Sequence, residues 1–224
     1  MLAALGVYAG VVCLYLLCLD AATRSARSRP ALRRVLCTIV GARWRGDQDV
    51  VLQNGLFGCG TAALSMLYRR LGKDECRVDI ESRLPSFMPV TMLDMCRALR
   101  ETGLEATGYE FVGAGDLTAF LEQRPRNEAL LLLRQYGAGS VVSNALLLPF
   151  VILIRIFRML GVSERPMLHW VLLDRTGADF DVLDPFLGRV RWNAKRFSKN
   201  WTGFAIVVVN PTEGDDRRLS HAVD

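Results

Sequence analysis

The stretch from residue 53 to residue 64, QNGLFGCGTAAL, constrains the fold more than any other part of this 224-residue chain. It predicts a helix that begins at Cys59, between two glycines, and continues into an apolar run. A helix N-terminus carries partial positive charge and unpaired N–H groups, and both favour a thiolate over a thiol. Cys59 is therefore a candidate nucleophile. Gln53, six residues earlier, is the candidate oxyanion donor, together with the backbone N–H of Cys59.

The composition indicates a single domain that contacts a membrane. The chain is long enough to bury one core, 51% of its residues are hydrophobic, and its mean hydropathy is positive. Its net charge of +5 comes from arginines beside apolar runs rather than among aromatics, which favours a membrane surface over nucleic acid as a partner. The six cysteines include no CxxC pair. We therefore expect no zinc site and no cofactor, and we interpret the five cysteines other than Cys59 as small buried hydrophobes.

The N-terminal segment predicts a membrane anchor. Residues 1–19 carry no charged side chain and are long enough to cross a bilayer. No basic residue precedes them and no convincing cleavage site follows, so we interpret residues 1–20 as an uncleaved transmembrane helix. A basic linker, residues 21–47, carries arginines at 24, 27, 29, 33 and 34, which predicts a cytoplasmic domain at the inner membrane. If the first segment were cleaved, the protein would instead be periplasmic or extracellular.

The rest of the chain divides into a helical part and a β-rich part. The pattern from residue 48 to about residue 110 is mostly helical, and the last third favours strands. Residues 139–162 are an apolar insertion broken by a proline, which we interpret as a membrane-interfacial helix; a buried core helix and a spanning or re-entrant segment are the alternatives. Residues 212–224 predict a disordered tail. The individual predictions are helices over 59–71, 91–102, 116–122 and 193–200 and strands over 129–134, 168–174, 180–183, 189–192 and 204–209.

His169 and Asp184 complete a candidate catalytic constellation. A cysteine nucleophile needs a base and a group that orients the base. The chain has two histidines, and because His221 lies in the tail, His169 is the predicted base. If the hairpin turn is centred between residues 176 and 177, His169 lies directly opposite Asp184, within reach of an imidazole–carboxylate hydrogen bond. A shift of one residue in the turn would break this pairing.

These residues resemble a known family. Gln53, five intervening residues, Cys59-Gly60 and then TAALSMLYRRLG are similar to the peptidase domain that cleaves double-glycine leaders from bacteriocin and peptide-pheromone precursors. That domain usually stands at the N-terminus of peptide-exporting ABC transporters. The resemblance continues through VTMLDMCRALRETGLEA, HWVLLDRTGADFDVLDPFLGRVRW and FSKNWTGFAIVV, and so spans residues 48–211. Two features depart from the family: Gly58 replaces a commonly acidic residue, and the insertion at 139–162 is atypical.

The resemblance implies a papain-like α+β fold over residues 48–211, with an N-terminal helical half packed on a C-terminal antiparallel sheet. It implies Cys59 as nucleophile, His169 as base, Asp184 as orienting acid and Gln53 in the oxyanion hole. The implied function is a stand-alone, membrane-associated cysteine endopeptidase that removes a leader, after Gly-Gly, from a secreted precursor, with a separate ABC exporter as a possible partner.

Three alternatives stay open from the sequence. The chain could be a non-catalytic leader-binding module for an exporter, or an acyltransferase that uses the same triad, because a triad alone does not choose water as the acceptor. If the domain is periplasmic, the substrate would be a different one, such as a component of a secreted fibre or adhesin.

Overall fold

The structure, a computed structural model, describes most of the chain between residues 28 and 209. The described ranges are 28–40, 42–55, 58–73, 77–84, 90–134 and 168–209, with isolated positions between 10 and 27. The predicted insertion at 139–162, the predicted tail and most of the predicted anchor lie outside these ranges. Among the described residues, no helix has the length and apolar character needed to cross a membrane.

One antiparallel sheet forms the centre of the fold. Its strands are β1 (Arg43–Gly46), β2 (Ala106–Glu110), β3 (Glu128–Arg134), β4 (Leu168–Arg175), β5 (Asp179–Asp184), β6 (Gly188–Asn193) and β7 (Trp201–Val208). The strand order is β1-β6-β5-β4-β3-β7-β2, and each neighbouring pair is antiparallel. The helices are α1 (Pro30–Val40), α2 (Cys59–Arg70), α3 (Arg77–Arg83), α4 (Met92–Glu101), α5 (Ala114–Glu122) and α6 (Ala194–Asn200).

Helices cover both faces of the sheet. One apolar core joins α2, α3 and α4 to the face that carries Trp170 and Leu172. A second core joins α1, α5 and α6 to the opposite face, which carries Val171 and Val182. The central strands β3 and β4 are buried on both faces, which explains their nearly continuous apolar sequences. The predicted architecture, helices on an antiparallel sheet, is confirmed, whereas the second helical layer was not predicted.

The segment predicted as a basic linker is folded from residue 30 onward. Helix α1 packs into the second core, and β1 pairs with β6 at the edge of the sheet. Arg33 is only 1% exposed and forms an ion pair with Asp47. The linker prediction over 21–47 is therefore wrong for this part, because counting arginines does not distinguish a buried, paired arginine from an exposed one. Arg33 does not contribute to an exposed basic flank.

The mostly helical interpretation of residues 48–110 is wrong at its end. Residues 106–110, with the sequence ATGYE, form strand β2 at the other edge of the sheet, paired with β7. Four of the five residues are exposed, so the strand lacks the alternation of apolar and polar residues by which a half-buried strand is recognised. The other predicted helices and strands within the described ranges are present, with ends that differ by up to three residues.

Helix α2 is fixed at the end opposite the candidate nucleophile. The Arg70 guanidinium donates to the Glu128 carboxylate at 3.1 Å and to the Leu173 carbonyl at 3.0 Å. It also forms an ion pair with Asp174, which pairs with Arg189 as well. These contacts tie the last turn of α2 to β3, β4 and β6. Because the helix is anchored at this end, the position of its N-terminus relative to β4 is well defined.

Gly188 occupies a position where a side chain cannot fit. Its φ is +96°, and a Cβ there would lie 2.5 Å from Asp47 Oδ1 and 2.8 Å from the Gly46 carbonyl oxygen. We expect Gly188→Ala to lower the free energy of unfolding by about 3 kcal/mol, because the left-handed backbone and the clash both oppose a side chain. Gly72→Ala is the matched control, since Gly72 also has a positive φ but has open space around it. For Gly72→Ala, urea unfolding should show that the free energy of unfolding falls by only about 1 kcal/mol. Equal losses in the two variants would contradict the clash at Gly188.

Candidate active site

Cys59 is the first residue of α2, as predicted. Gly58 is the N-cap and provides no side-chain cap, so the N–H groups of the first turn remain available. A Cβ at Gly58 would lie 3.0 Å from the carbonyl oxygen and 3.1 Å from the nitrogen of Asn54. This close approach to backbone gives a physical reason for a glycine where the family commonly has an acidic residue. Cys59 itself is only 8% exposed.

His169 is the second residue of β4 and lies in contact with Cys59. The imidazole is 2% exposed and forms a hydrogen bond with the Cys59 sulfur. Its Nε2 lies 2.9 Å from Asp184 Oδ1, so Nδ1 is the ring nitrogen left to face the sulfur. The backbone N–H groups of Trp170 and Gly60 also lower the pKa of the Cys59 thiol. The structure thus brings the predicted nucleophile and the predicted base together.

Asp184 ends β5 and is completely buried. One carboxylate oxygen, Oδ1, meets three donors: His169 Nε2 at 2.9 Å, the N–H of Phe186 at 2.8 Å and the N–H of Leu187 at 3.0 Å. The last two donors belong to the turn that begins with Pro185, so the backbone next to Asp184 holds its carboxylate in place. The carboxylate in turn fixes the orientation of the imidazole, which is the geometry that an orienting acid requires.

The strand register differs from the predicted one by two residues. Leu172 pairs with Leu183 and Leu173 with Val182, with an irregularity toward the turn, so Asp184 comes opposite Val171 rather than opposite His169. The predicted direct pairing is wrong. Because side chains alternate along a strand, an offset of two residues keeps both groups on the same face. Asp184 is then a diagonal neighbour of His169, which is still within reach of its side chain.

The three groups stabilise one another's charged forms. Burial raises the pKa of the Cys59 thiol, but the hydrogen bond and charge of His169 and the N–H groups of Trp170 and Gly60 outweigh it and lower this pKa below its ordinary value of 9.0. Burial lowers the pKa of His169, yet Asp184 and Cys59 raise it to about 10. Burial raises the pKa of Asp184, whereas His169 and two backbone N–H groups bring it below its ordinary value. The three groups together therefore favour a thiolate beside an imidazolium and a carboxylate.

Gln53 lies in the segment that leads to Cys59 and is 4% exposed. Its backbone N–H donates to the Pro185 carbonyl at 2.8 Å, which joins it to the turn that follows Asp184. Its side-chain Nε2 donates to the Gly55 carbonyl at 3.0 Å, and the second hydrogen of that amide remains for another acceptor. The side-chain oxygen of Gln53 is buried without a hydrogen-bond partner in the described part of the chain.

Sequence reasoning missed the backbone donors and Trp170. The indole Nε1 of Trp170 donates to the Val90 carbonyl at 2.8 Å, and this contact fixes Val90, two residues before α4, next to the start of α2. The signal for the turn after Asp184 was present in the sequence, because an aspartate often accepts hydrogen bonds from N–H groups two and three residues later. His221, the other histidine, lies outside the described residues.

The site places a buried cysteine at a helix N-terminus, next to a histidine on an antiparallel sheet, and this histidine forms a hydrogen bond with an aspartate. This is the papain-like cysteine peptidase arrangement. Two solved structures share this fold. One is a double-glycine motif protease from an AMS/PCAT transporter, in complex with a leader peptide, with a TM-score of 0.50 and 19% identity over 75% of this chain and 96% of that one. The other is the peptidase domain of Streptococcus ComA, a bifunctional ABC transporter, with a TM-score of 0.51 and 16% identity over 71% and 96% of the two chains.

A curated relative comes from Pseudomonas aeruginosa. It is the probable functional amyloid protease FapD, 29% identical over 209 residues, which cover 88% of this chain and 76% of the relative. No family model matches the chain. The resemblance to the double-glycine peptidase domains and the enzyme class, a cysteine peptidase, were predicted from the sequence, and these comparisons confirm both.

Proposed function

We propose that this protein is a cysteine endopeptidase that processes a secreted precursor, with Cys59 as nucleophile, His169 as base and Asp184 as orienting acid. The observation that carries the proposal is the position of His169, whose Nε2 forms a hydrogen bond with Asp184 Oδ1 and whose hydrogen bond and charge lower the pKa of the Cys59 thiol. A thiolate and an imidazolium held in contact are the resting state that a cysteine peptidase needs.

In this mechanism the Cys59 thiolate attacks the carbonyl carbon of the scissile peptide bond, and a C–S bond forms while the carbonyl electrons move to oxygen. The backbone N–H of Cys59 and the second N–H of the Gln53 amide stabilise that oxyanion. The His169 imidazolium then gives its proton to the leaving amine as the C–N bond breaks, which leaves a thioester. A water molecule that gives its proton to His169 hydrolyses the thioester, releases the carboxylic acid and restores the ion pair.

The residue after Cys59 is closely packed. A Cβ at Gly60 would lie 3.0 Å from two atoms of the Val90 side chain, and Trp170 holds the Val90 backbone in place. The proposed cleavage after a Gly-Gly leader is supported by the resemblance to the double-glycine peptidase domains. The name of the FapD relative favours a second substrate of the same general kind, the precursor of a secreted amyloid fibre subunit.

We further propose that residues 1–20 anchor the enzyme in the inner membrane with the catalytic domain in the cytoplasm, beside a separate ABC exporter. In support, Leu14 and Leu17 are exposed at 64% and 67%, and Arg24 and Arg27 are exposed beyond them. Reporter fusions after residue 29, just before α1, should be active with a cytoplasmic reporter and inactive with a periplasmic one. The reverse pattern would contradict the proposed side of the membrane.

The proposed activity is tested by co-expressing the chain with two candidate precursors, one with a Gly-Gly leader and one amyloid fibre subunit. Wild-type protein should convert one of them to a shorter product with a free carboxyl terminus on the leader, measured by mass spectrometry. Cys59→Ala should leave it intact, while Cys96→Ala, at another buried free thiol, should cleave normally. Cleavage by Cys59→Ala would overturn the proposal. Binding without cleavage would indicate a leader-binding module, and an amide-linked adduct would indicate an acyltransferase.

Gln53→Ala is expected to lower kcat by about 10²–10³-fold and to change KM little, because an oxyanion donor acts mainly in the transition state. Gln48→Ala is the matched control, since Gln48 is exposed and lies in the same segment. Steady-state cleavage of a precursor peptide by both variants gives the measurement. A kcat within about threefold of wild type for Gln53→Ala would contradict the oxyanion role.

A further inference from the structure

Helix α1 reaches the turn that supports Asp184. Cys37 on α1 is completely buried, and its Sγ lies 4.0 Å from the carbonyl oxygen of Leu187. Leu187 is the residue whose N–H donates to Asp184 Oδ1. A single peptide segment thus contacts α1 on one side and the candidate orienting acid on the other.

The sheet places Asp184 on the face that α1 covers. Val182 on β5 belongs to the same core as Cys37, and because side chains alternate along a strand, Asp184 points to the same side as Val182. The negative charge of Asp184 helps to raise the pKa of the Cys37 thiol to about 12, after the larger effect of burial. Cys37 is therefore a protonated packing residue beside Asp184, not a second nucleophile.

Two further contacts hold α1 and the turn together. The Arg33 guanidinium pairs with Asp47, and this ion pair fixes α1 to the segment after β1. The same guanidinium donates to the Arg27 carbonyl at 2.5 Å, in the segment before α1. Gly188, directly after the turn, lies so close to Asp47 that no side chain fits between them. On its other side, the turn is held by the N–H of Gln53, which donates to the Pro185 carbonyl.

We propose that Cys37 is a positioning residue for the catalytic carboxylate: α1 presses on the 185–187 turn and thereby keeps its N–H groups directed at Asp184. This inference rests on the proposed function, because it assigns Asp184 a catalytic role. The segment before residue 48, which the sequence predicts as a linker, then forms part of the support of the active site. His169 is the titratable side chain that contacts Asp184, and the charged groups that act on Cys37 are Asp184, Arg33 and Asp47.

The consequence is a change in the titration of Cys59 when Cys37 is altered. If the turn moves, Asp184 stabilises the His169 imidazolium less, and the imidazolium in turn stabilises the Cys59 thiolate less. Cys37→Val adds bulk against the turn and removes the S–H donor, whereas Cys37→Ser keeps a donor of similar size. We expect the apparent pKa for alkylation of Cys59 to rise by about half a unit to one unit in Cys37→Val, and the rate at pH values well below this pKa to fall by about three- to tenfold. Cys37→Ser should stay close to wild type.

The experiment measures iodoacetamide alkylation of Cys59 in the full chain from pH 5 to pH 10. The tryptic peptide of residues 46–69 contains Cys59 as its only cysteine, so mass spectrometry reports this site alone. Cys96→Val and Cys96→Ser on α4 are matched controls, because Cys96 is also a buried helical cysteine. They should reduce stability toward urea to a similar extent and leave the Cys59 profile unchanged.

The proposal is overturned if Cys37→Val and Cys96→Val lose similar stability while both retain the wild-type alkylation profile, because α1 would then only cover the core. If Cys37→Val does not fold, Asp47→Asn is the second variant, since it weakens the contact that fixes α1 and should shift the profile in the same direction by a smaller amount. An unshifted profile in that variant would also overturn the proposal. A wild-type Cys59 that titrates near its ordinary pKa would instead contradict the proposed function.

Discussion

His169→Ala is expected to lower precursor cleavage by about 10⁴-fold or more, an effect comparable to removal of Cys59. The variant loses both the group that carries the proton and the cation that stabilises the Cys59 thiolate. Burial of Cys59, which raises the pKa of its thiol, is then opposed only by the N–H groups of Trp170 and Gly60. The alkylation profile of Cys59 should therefore move to a higher pH than in wild type.

The pH dependence of cleavage follows from the same ion pair. The rate should rise with pH as Cys59 becomes a thiolate, below its ordinary pKa of 9.0, and fall as His169 loses its proton at about 10. The contribution of His169 to stability has a matching sign: its folded pKa lies above its ordinary value of 6.5, so the contribution is complete below pH 6.5 and is lost as the pH rises through 10.

His169→Gln distinguishes loss of chemistry from loss of packing. Glutamine keeps a polar side chain of similar length in this buried position but cannot transfer a proton at neutral pH. We expect His169→Gln to be as inactive as His169→Ala, but its midpoint of urea unfolding should lie closer to that of the wild-type protein. A His169→Gln variant that cleaves the precursor at more than about a hundredth of the wild-type rate would contradict the role of His169 as base.

The parts of the site that could be predicted are those that depend on local sequence. Cys59 is recognisable because glycines flank it at the start of an apolar helix, and His169 because the tail holds the other histidine. Asp184 was identified through a register that is wrong by two residues, and the assignment survived because that offset keeps the same face of the strand. A prediction wrong by one residue would have placed the carboxylate on the opposite face.

The parts that could not be predicted depend on packing between distant segments. Arg33 and Cys37 lie in a stretch that looks like a basic linker, and their burial follows from contacts with Asp47 and Leu187 that local sequence does not encode. Strand β2 was missed because an exposed edge strand needs no apolar alternation. Periodicity within one segment reports which face is apolar, but not which other segment covers it.

Replacing Asp184 separates its role as an acceptor from its role as a charge. Asp184→Ala removes the acceptor for His169 and for the N–H groups of Phe186 and Leu187 in a fully buried position. We expect a loss of about 3–5 kcal/mol in the free energy of unfolding and a fall of at least about 10³-fold in cleavage. The contribution of this carboxylate to stability is present above its ordinary pKa of 3.8 and is lost as the pH falls through its lower folded value, so the difference between wild type and variant should shrink in strong acid.

Asp184→Asn should be much milder, for a reason that the geometry provides. All three donors meet the single oxygen Oδ1, and the two backbone N–H groups oblige an asparagine to direct its oxygen, not its NH₂, into this position. The imidazole therefore keeps its orientation, and we expect cleavage to fall by only about tenfold. Without the negative charge the pKa of His169 falls from about 10, so the alkaline limb of the cleavage profile should move to lower pH.

Asp181→Asn is the matched control for this last prediction. Asp181 lies on the same strand and is also buried, but its carboxylate binds Arg191 at 2.6 and 2.5 Å and not His169. Replacing it removes a buried charge from β5 without touching the site, so the alkaline limb should stay at the wild-type pH. If Asp184→Asn were as inactive as Asp184→Ala, the amide would be turned with its NH₂ toward His169, and the backbone donors would not control the carboxylate. If its alkaline limb did not move, Asp184 would not stabilise the imidazolium.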